Sequence, residues 1–330
     1  MSRNARPFEV VDFATFSYWA QASDVQLSTA LTLSHFERPG RLHGVRGVRT
    51  TRSVRAGETL IRVPASAMLV NSSQVLQLHG VRSSVLLEPS VAQRVRRACD
   101  ACGLMSFVML DEQRALHTSR WQPYLHMLEL DPSLKSSHPM CVAATPPHAT
   151  HALGLILSRL CRLLSTNRLK EQAPNVRFYV VEARRRMRAC YEAVFGIDDS
   201  RVVAIVGGIG DPAPQFSYSK YIDASLKCAA HHFGVAAGAA EGGEERFLAL
   251  IPGADLFAAP AEGQTPQAHL RRVPGSLSPL IDDYIVESLS DIRVGTEVTA
   301  DWFPRLCLEE QLCSYGYVYD SKASACEPVE

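Results

Sequence analysis

Apolar and β-branched positions mark two short strand–turn–strand units in the chain. In the first, Val45 to Thr51 is branched and thinned by Gly47, Ala56-Gly57-Glu58 forms a turn, and Leu60 to Val63 is a second strand. Pro64 stops it, having no N–H for a ladder. Gly47 leaves room for a backbone or ligand where a Cβ would block approach. The second unit, Asp291-Ile292-Arg293-Val294-Gly295-Thr296-Glu297-Val298, repeats the order of Ser53-Val54-Arg55-Ala56-Gly57-Glu58-Thr59-Leu60: small or acidic, branched, Arg, small, Gly, two polar, apolar. Two β-hairpins of one design, far apart in the chain, predict a pseudo-symmetric β core split by an insertion.

Helical spacing fills much of the distance between them. Val11 to Ala22 places Phe13, Phe16 and Ala20 on one face with Trp19 beside it, and Val91 to Leu110 reads as a second helix. Residues 131–215 are mostly helical. Leu153, Ile156, Leu157, Leu160, Leu163 and Leu164 make one buried face, and Val180, Met187, Tyr191 and Val194 make another. Phe216 to His232 is a further helix, 236–245 is a flexible Ala/Gly/Glu loop, and Phe247 to Ile251 is a buried strand. Ile281 to Leu289 and Glu297 to Trp302 follow as strands, and Leu308 to Ser314 as a short helix. The pattern predicts an α+β chain with a split, mostly antiparallel core and a large helical insertion. Its divisions fall at 1–43 (helical lead), 44–90 (first half of the core), 91–215 (insertion) and 216–330 (second half).

Arg46 to Pro64 resembles the opening strands of a SET domain, in the class typified by the Rubisco large-subunit lysine methyltransferase and the actin-histidine methyltransferase. The class pattern is roughly GRGLxAxRdIxxGExLxxIP, and Val45 stands where its first glycine is usual. Ser119-Arg120-Trp121-Gln122-Pro123-Tyr124-Leu125 is similar to the class's sfWxPYL run, with Trp121 and Tyr124 as rings that need burial and Pro123 in a first helical turn. Phe216 to His232 resembles the segment ending in SRaf, and Pro252-Gly253-Ala254-Asp255-Leu256-Phe257-Ala258-Ala259 resembles PxaDmlNH, with Asp255 capping a turn. Tyr315-Gly316-Tyr317-Val318 is similar to YGFv, so the likeness runs from about residue 13 to 319. Class members commonly continue into a helical C-terminal domain that helps hold the substrate. The resemblance implies that this domain is absent here.

The resemblance implies methyl transfer from S-adenosyl-L-methionine to a lysine or histidine nitrogen, a displacement in which positioning carries much of the rate. In the class, the glycine-rich first strand approaches the cofactor, an Arg and an Asn-His pair bind its polar parts, and a Tyr lines the methyl channel. The corresponding positions here are Val45, Arg46, Gly47 and Val48 on the strand, Ala229 for the Arg (after Cys228 in place of Ser), Ala258 and Ala259 for Asn-His, and Trp302 for the Tyr. Methyl groups cannot hydrogen-bond a zwitterion, and an indole has no hydroxyl oxygen. Tyr315 is the candidate substitute phenol, with Tyr317 beside it. The implied reading is a non-catalytic SET-fold protein acting as a protein-binding or assembly module. The alternative is an active protein N-methyltransferase, with backbone at Val45 to Val48 and Ala258 holding the adenine and Tyr315 replacing the lost hydroxyl.

Composition narrows the partners. Lys plus Arg and Asp plus Glu are both 34 in 330 residues, so no overall field favours nucleic acid or a membrane surface. The cluster Arg184, Arg185, Arg186 and Arg188 reads as a solvated helix face. Gly207-Gly208-Ile209-Gly210 imitates a phosphate loop, but Pro212 and Pro214 prevent a helix N-terminus from opening behind it. Nine cysteines at no framework spacing suit a reducing, intracellular compartment, cytoplasmic or mitochondrial, with the nucleus also open. Cys99-Asp100-Ala101-Cys102 is a lone CxxC for which zinc or redox chemistry is the minor reading. No apolar run reaches the length of a membrane span.

Overall fold

Among the described residues ten strands run in chain order: β1 (Gln26–Leu27), β2 (Leu31–Phe36), β3 (Val45–Thr50), β4 (Thr59–Val63), β5 (Leu69–Val70), β6 (His232–Ala236), β7 (Arg246–Leu250), β8 (Ala268–Val273), β9 (Asp283–Ser288) and β10 (Glu297–Val298). They form three antiparallel sheets with the orders β1-β4-β9-β8, β10-β3-β2 and β5-β7-β6. The computed structural model describes residues 7–36, 45–71, 97–114, 119–128, 173–195, 217–236, 246–260, 264–275, 281–301 and 307.

The repeated unit sits at the centre of a local two-fold. Val54 and Ile292, at the same place in the two copies, pair with each other through hydrogen bonds of 2.9 and 2.8 Å. The amide of Gly57 donates to Ser288 O at 2.8 Å, and that of Gly295 donates to Thr50 O at 2.8 Å. Likewise Ser288 N–H donates to Glu58 O and Thr50 N–H to Thr296 O, both at 3.0 Å. Both glycines are left-handed, at φ +77° and +78°, where a Cβ would be strained. The sheet β10-β3-β2 is thus the counterpart of β4-β9-β8, and the expected split, pseudo-symmetric core is present.

The units are not hairpins, however. β3 and β4 lie in different sheets, because each strand's ladder is taken by the opposite copy. β3 is flanked by β2 and β10, and β4 by β1 and β9. With both edges filled, neither strand has donors or acceptors left for its sequence neighbour. The turn carries the chain from one sheet to the other.

Between β5 and β6 every described element is a helix: α2 (Ala101–Arg114), α3 (Gln122–Met127), α4 (Ala173–Phe195) and α5 (Tyr218–His231), with α1 (Pro7–Ala22) preceding the first sheet. Of the helix expected from Val91, residues 91–96 lie outside the described residues and 97–98 are helical; after a break at Cys99 and Asp100, α2 begins at Ala101, where Asp100 Oδ1 accepts from the Gly103 amide at 2.6 Å and caps it. Ser217 caps α5 through Lys220 N–H at 3.4 Å, and Pro123 lies in the first turn of α3 as predicted. Phe16 and Ala20 of α1 are fully buried, and Trp19 stacks on Tyr124 of α3 with ring centroids 5.7 Å apart. On α4, Val180 and Cys190 are buried, while Arg185, Arg186 and Arg188 form an ion-pair ladder with Glu182 and Glu192. Hydrogen bonds from Arg185 and Arg186 hold the Glu182 carboxyl down at about 2. The arginine cluster is therefore largely the solvated face expected of it; Arg184, partly buried, is the exception.

Cysteine usage did not foretell the covalent pairing. Cys99 is joined to Cys190, tying the start of α2 to α4 across a Cα–Cα distance of 4.6 Å. Cys307 is also half of a disulfide. The side chains of Phe13 and Val194, the face at 153–164, the glycine-rich 207–211, the loop 237–245, the helix at 308–314 and the 315–318 motif lie outside the described residues.

Candidate functional site

The first wall is β3. Val48 is buried in the core, and Val45 sits opposite Phe36 in the ladder. Arg46 Nη2 donates to Met127 O at 2.6 Å, so its guanidinium ties β3 to the end of α3. A Cβ on Gly47 would come within 3.0 Å of the Phe36 ring and 3.1 Å of Glu297 Oε1. The atoms nearest to that position are thus side chains of its own sheet.

The second wall is the single turn Ala254–Leu256, which packs against β3. The Gly253 amide donates to Asp255 Oδ1 at 3.1 Å, the capping role read from the sequence. The other oxygen, Oδ2, lies 3.3 Å from His231 Nδ1 at the end of α5, at ion-pair distance without an aligned hydrogen bond. Tyr124 is within reach of the same carboxylate. Burial pushes its phenol well above the ordinary range, and the nearby Asp255 charge pushes the same way. Tyr124, His231 and Asp255 are a polar group beneath the site; the sequence marks Tyr124 and Asp255 only as separate structural residues and gives no signal for His231. The Asp of the PxaD-like run was its one visible signal.

Ala258 continues from this turn and bridges in parallel to Thr299, and its carbonyl accepts from the Ala300 amide at 3.0 Å. That pairing sets Ala258 beside the chain leading to position 302. Ala229 lies in the last turn of α5, half-buried, with its carbonyl 3.1 Å from His232 Nδ1. Ala259 is half-buried as well. The structure therefore brings β3, the turn with Ala258 and Ala259, and the end of α5 with Ala229 into one neighbourhood, linked by the His231–Asp255 pair. Trp302, Tyr315 and Tyr317 lie outside the described residues.

No protein-family model matches the chain, and no curated protein matches it. Solved structures do. A crystal structure of the SET domain of LSMT bound to lysine and AdoHcy aligns with a TM-score of 0.53 at 13% identity, over 94% of this chain and 58% of that one. A structure of Rubisco LSMT bound to AdoMet aligns at 0.50 and 13%, over 94% and 57%. The protein has a SET-domain fold, α+β with antiparallel sheets, of the kind seen in LSMT. It spans less than three-fifths of the length of those chains. Among the described residues no helix is long and apolar enough to cross a membrane.

Proposed function

We propose that this chain is a SET-fold protein that has lost methyl transfer and serves as a protein-binding or assembly module, with 91–215 inserted between core halves 44–90 and 216–330. The observation that carries the reading is the state of the three positions Ala229, Ala258 and Ala259. Each presents a methyl group, and two of the three carbonyls are already engaged, by His232 and by the Ala300 amide. The Arg46 guanidinium on the facing strand is turned to the Met127 carbonyl. These residues do not fit the charged amine and carboxylate of S-adenosyl-L-methionine. Each hydrogen bond the cofactor fails to make costs on the order of 1–3 kcal/mol, so three together weaken binding by several powers of ten. A cleft emptied of polar groups favours apolar side chains, and a protein partner supplies them.

The second reading is an active protein lysine or histidine N-methyltransferase with substitute residues. It takes its cofactor from the AdoMet and AdoHcy complexes of the LSMT neighbours. It requires backbone at Val45 to Val48 to hold the adenine, and Tyr315 to line the channel. The two readings part in a transfer assay with methyl-labelled AdoMet, the full chain and a protein extract as acceptor. The expected result is no incorporation above a control without the protein. The variant combining Ala258→Asn, Ala259→His and Trp302→Tyr is also expected to be silent, since Ala229 and Val45 are unchanged. Label transferred to any protein by the unmodified chain, and lost on Tyr315→Phe, would establish the second reading.

A further inference from the structure

A cysteine pair beside this site has no part in either reading. Cys102 is the second residue of α2, and Cys228 lies in the last turn of α5. Their sulfurs are 3.0 Å apart, with the Cys228 thiol donating to Cys102 Sγ. The two helices are fixed against each other by the Ser106–Ser225 hydroxyl pair at 2.8 Å and the Phe107–Tyr221 ring stack at 4.9 Å. A disulfide requires about 2.05 Å, so the sulfurs need to approach by only about 1 Å.

The surroundings assign different tasks to the two sulfurs. Cys102 is partly exposed, and Cys228 is fully buried, so a dissolved oxidant reaches Cys102 first. Cys102 stands in the first turn of α2, at the positive end of the helix dipole, a position that favours a thiolate. His232 Nδ1 lies 3.8 Å from the Cys102 sulfur and 3.0 and 3.1 Å from the carbonyls of Cys228 and Ala229. Those carbonyls accept from Nδ1–H and so keep the proton on that nitrogen. The hydrogen bond from Cys228 is the largest influence on Cys102. Against burial and the Asp100 charge, and with help from His232, it brings the thiol down to about 6. Burial drives the Cys228 thiol in the opposite direction.

We propose that Cys102 and Cys228 form a reactive dithiol that hydroperoxides oxidise to a disulfide, with Cys102 as the attacking sulfur and Cys228 as the resolving one. In the first step the Cys102 thiolate forms a bond to a peroxide oxygen and the O–O bond breaks. The alkoxide or hydroxide leaves and takes up from solvent the proton that Cys102 released on ionising, and Cys102 becomes a sulfenic acid. In the second step the Cys228 sulfur attacks Cys102 Sγ, the S–O bond breaks, and hydroxide leaves as water with the Cys228 proton. Two thiols lose two electrons, and one hydroperoxide is reduced to an alcohol (or water) and water. The Cys99–Cys190 bond is a spectator that anchors the start of α2 to α4. Because Cys228 immediately precedes Ala229, closure acts on the same end of α5 that borders the candidate site.

The test is carried out on the full chain with hydrogen peroxide at a few equivalents, followed by non-reducing peptide mapping. The expected product is a Cys102–Cys228 crosslink, with Cys99 still joined to Cys190. In Cys228→Ser, Cys102 is trapped by dimedone as the sulfenic acid, and in Cys102→Ser, Cys228 stays reduced. On the unmodified protein, iodoacetamide alkylation of Cys102 reaches half its maximal rate near pH 6. At pH 7 it is about two- to threefold faster than for the same residue in the urea-unfolded chain, whose thiol titrates near 8.5, because the larger thiolate fraction outweighs the lower nucleophilicity of a less basic sulfur. A peroxide-treated chain in which Cys102 remains a thiol, or is linked to Cys99 or Cys190, would overturn the proposal. So would equal alkylation rates in the folded and unfolded chains.

Discussion

Trp121→Ala is expected to destabilise the fold by about 3–5 kcal/mol, close to the whole margin of many domains. The indole is 2% exposed, packed in the main core, with the Arg120 guanidinium 4.0 Å above its ring. Its Nε1–H donates to Ala67 O at 3.0 Å, in the turn that follows β4. Truncation removes the packing and leaves that carbonyl without its donor. Trp121→Phe keeps most of the ring volume and loses only the donor, so it should cost about 1–2 kcal/mol. Urea unfolding of the three proteins checks the order. An alanine variant within about 1 kcal/mol of the parent, the size of a single hydrogen bond, would show that the ring is not what joins α3 to the sheets.

Asp283→Ala is the second large effect, expected at about 2–3 kcal/mol. Asp283 begins β9 and is buried. Its Oδ1 accepts from the buried Ala65 amide at 3.0 Å, and its Oδ2 accepts from Arg62 Nη2 at 3.1 Å. Alanine leaves the amide unpaired in the interior, which is the costly part, because Arg62 is partly exposed and can turn to water. Asp283→Asn retains an acceptor for Ala65 and should cost less than half as much. Equal losses in the two variants, measured by the same unfolding curves, would assign the stabilisation to the charge instead.

The turns were legible because their cause is local. Gly57 and Gly295 take positive φ, which few other residues accept, and the repeat around them is visible without any partner. Burial of Trp121 and Tyr124 was legible for a similar reason, since rings of that size need a core. Pairing was not legible. Adjacent strands β3 and β4 read as a hairpin, but the choice of ladder partners was made by β2, β9 and β10, and two of these lie at the far end of the chain. The side chains that crowd Gly47, those of Phe36 and Glu297, are likewise not near it in sequence. The cysteines show the same limit. Cys99-Asp100-Ala101-Cys102 reads as a lone CxxC without partners, yet each of its cysteines meets a sulfur on a distant helix.

The candidate site divides along this line. Its positions at Val45 to Val48, Ala229, Ala258 and Ala259 could be placed by motif, since the flanking scaffold residues match. The polar group of Tyr124, His231 and Asp255 could not, because its members come from three separate elements and meet only when α5 packs beside the Ala254–Leu256 turn. Tyr124 Oη, His231 Nδ1 and Asp255 Oδ2 are buried without an aligned hydrogen bond. On the proposed reading, the cofactor-binding side chains of this scaffold have been replaced.

That claim is most directly tested by titration calorimetry of AdoMet into the full-length protein at neutral pH, repeated with AdoHcy. The account predicts no saturable heat at ligand concentrations up to about 1 mM, corresponding to binding weaker than about −4 kcal/mol. A dissociation constant in the low micromolar range, about −8 kcal/mol, would contradict it.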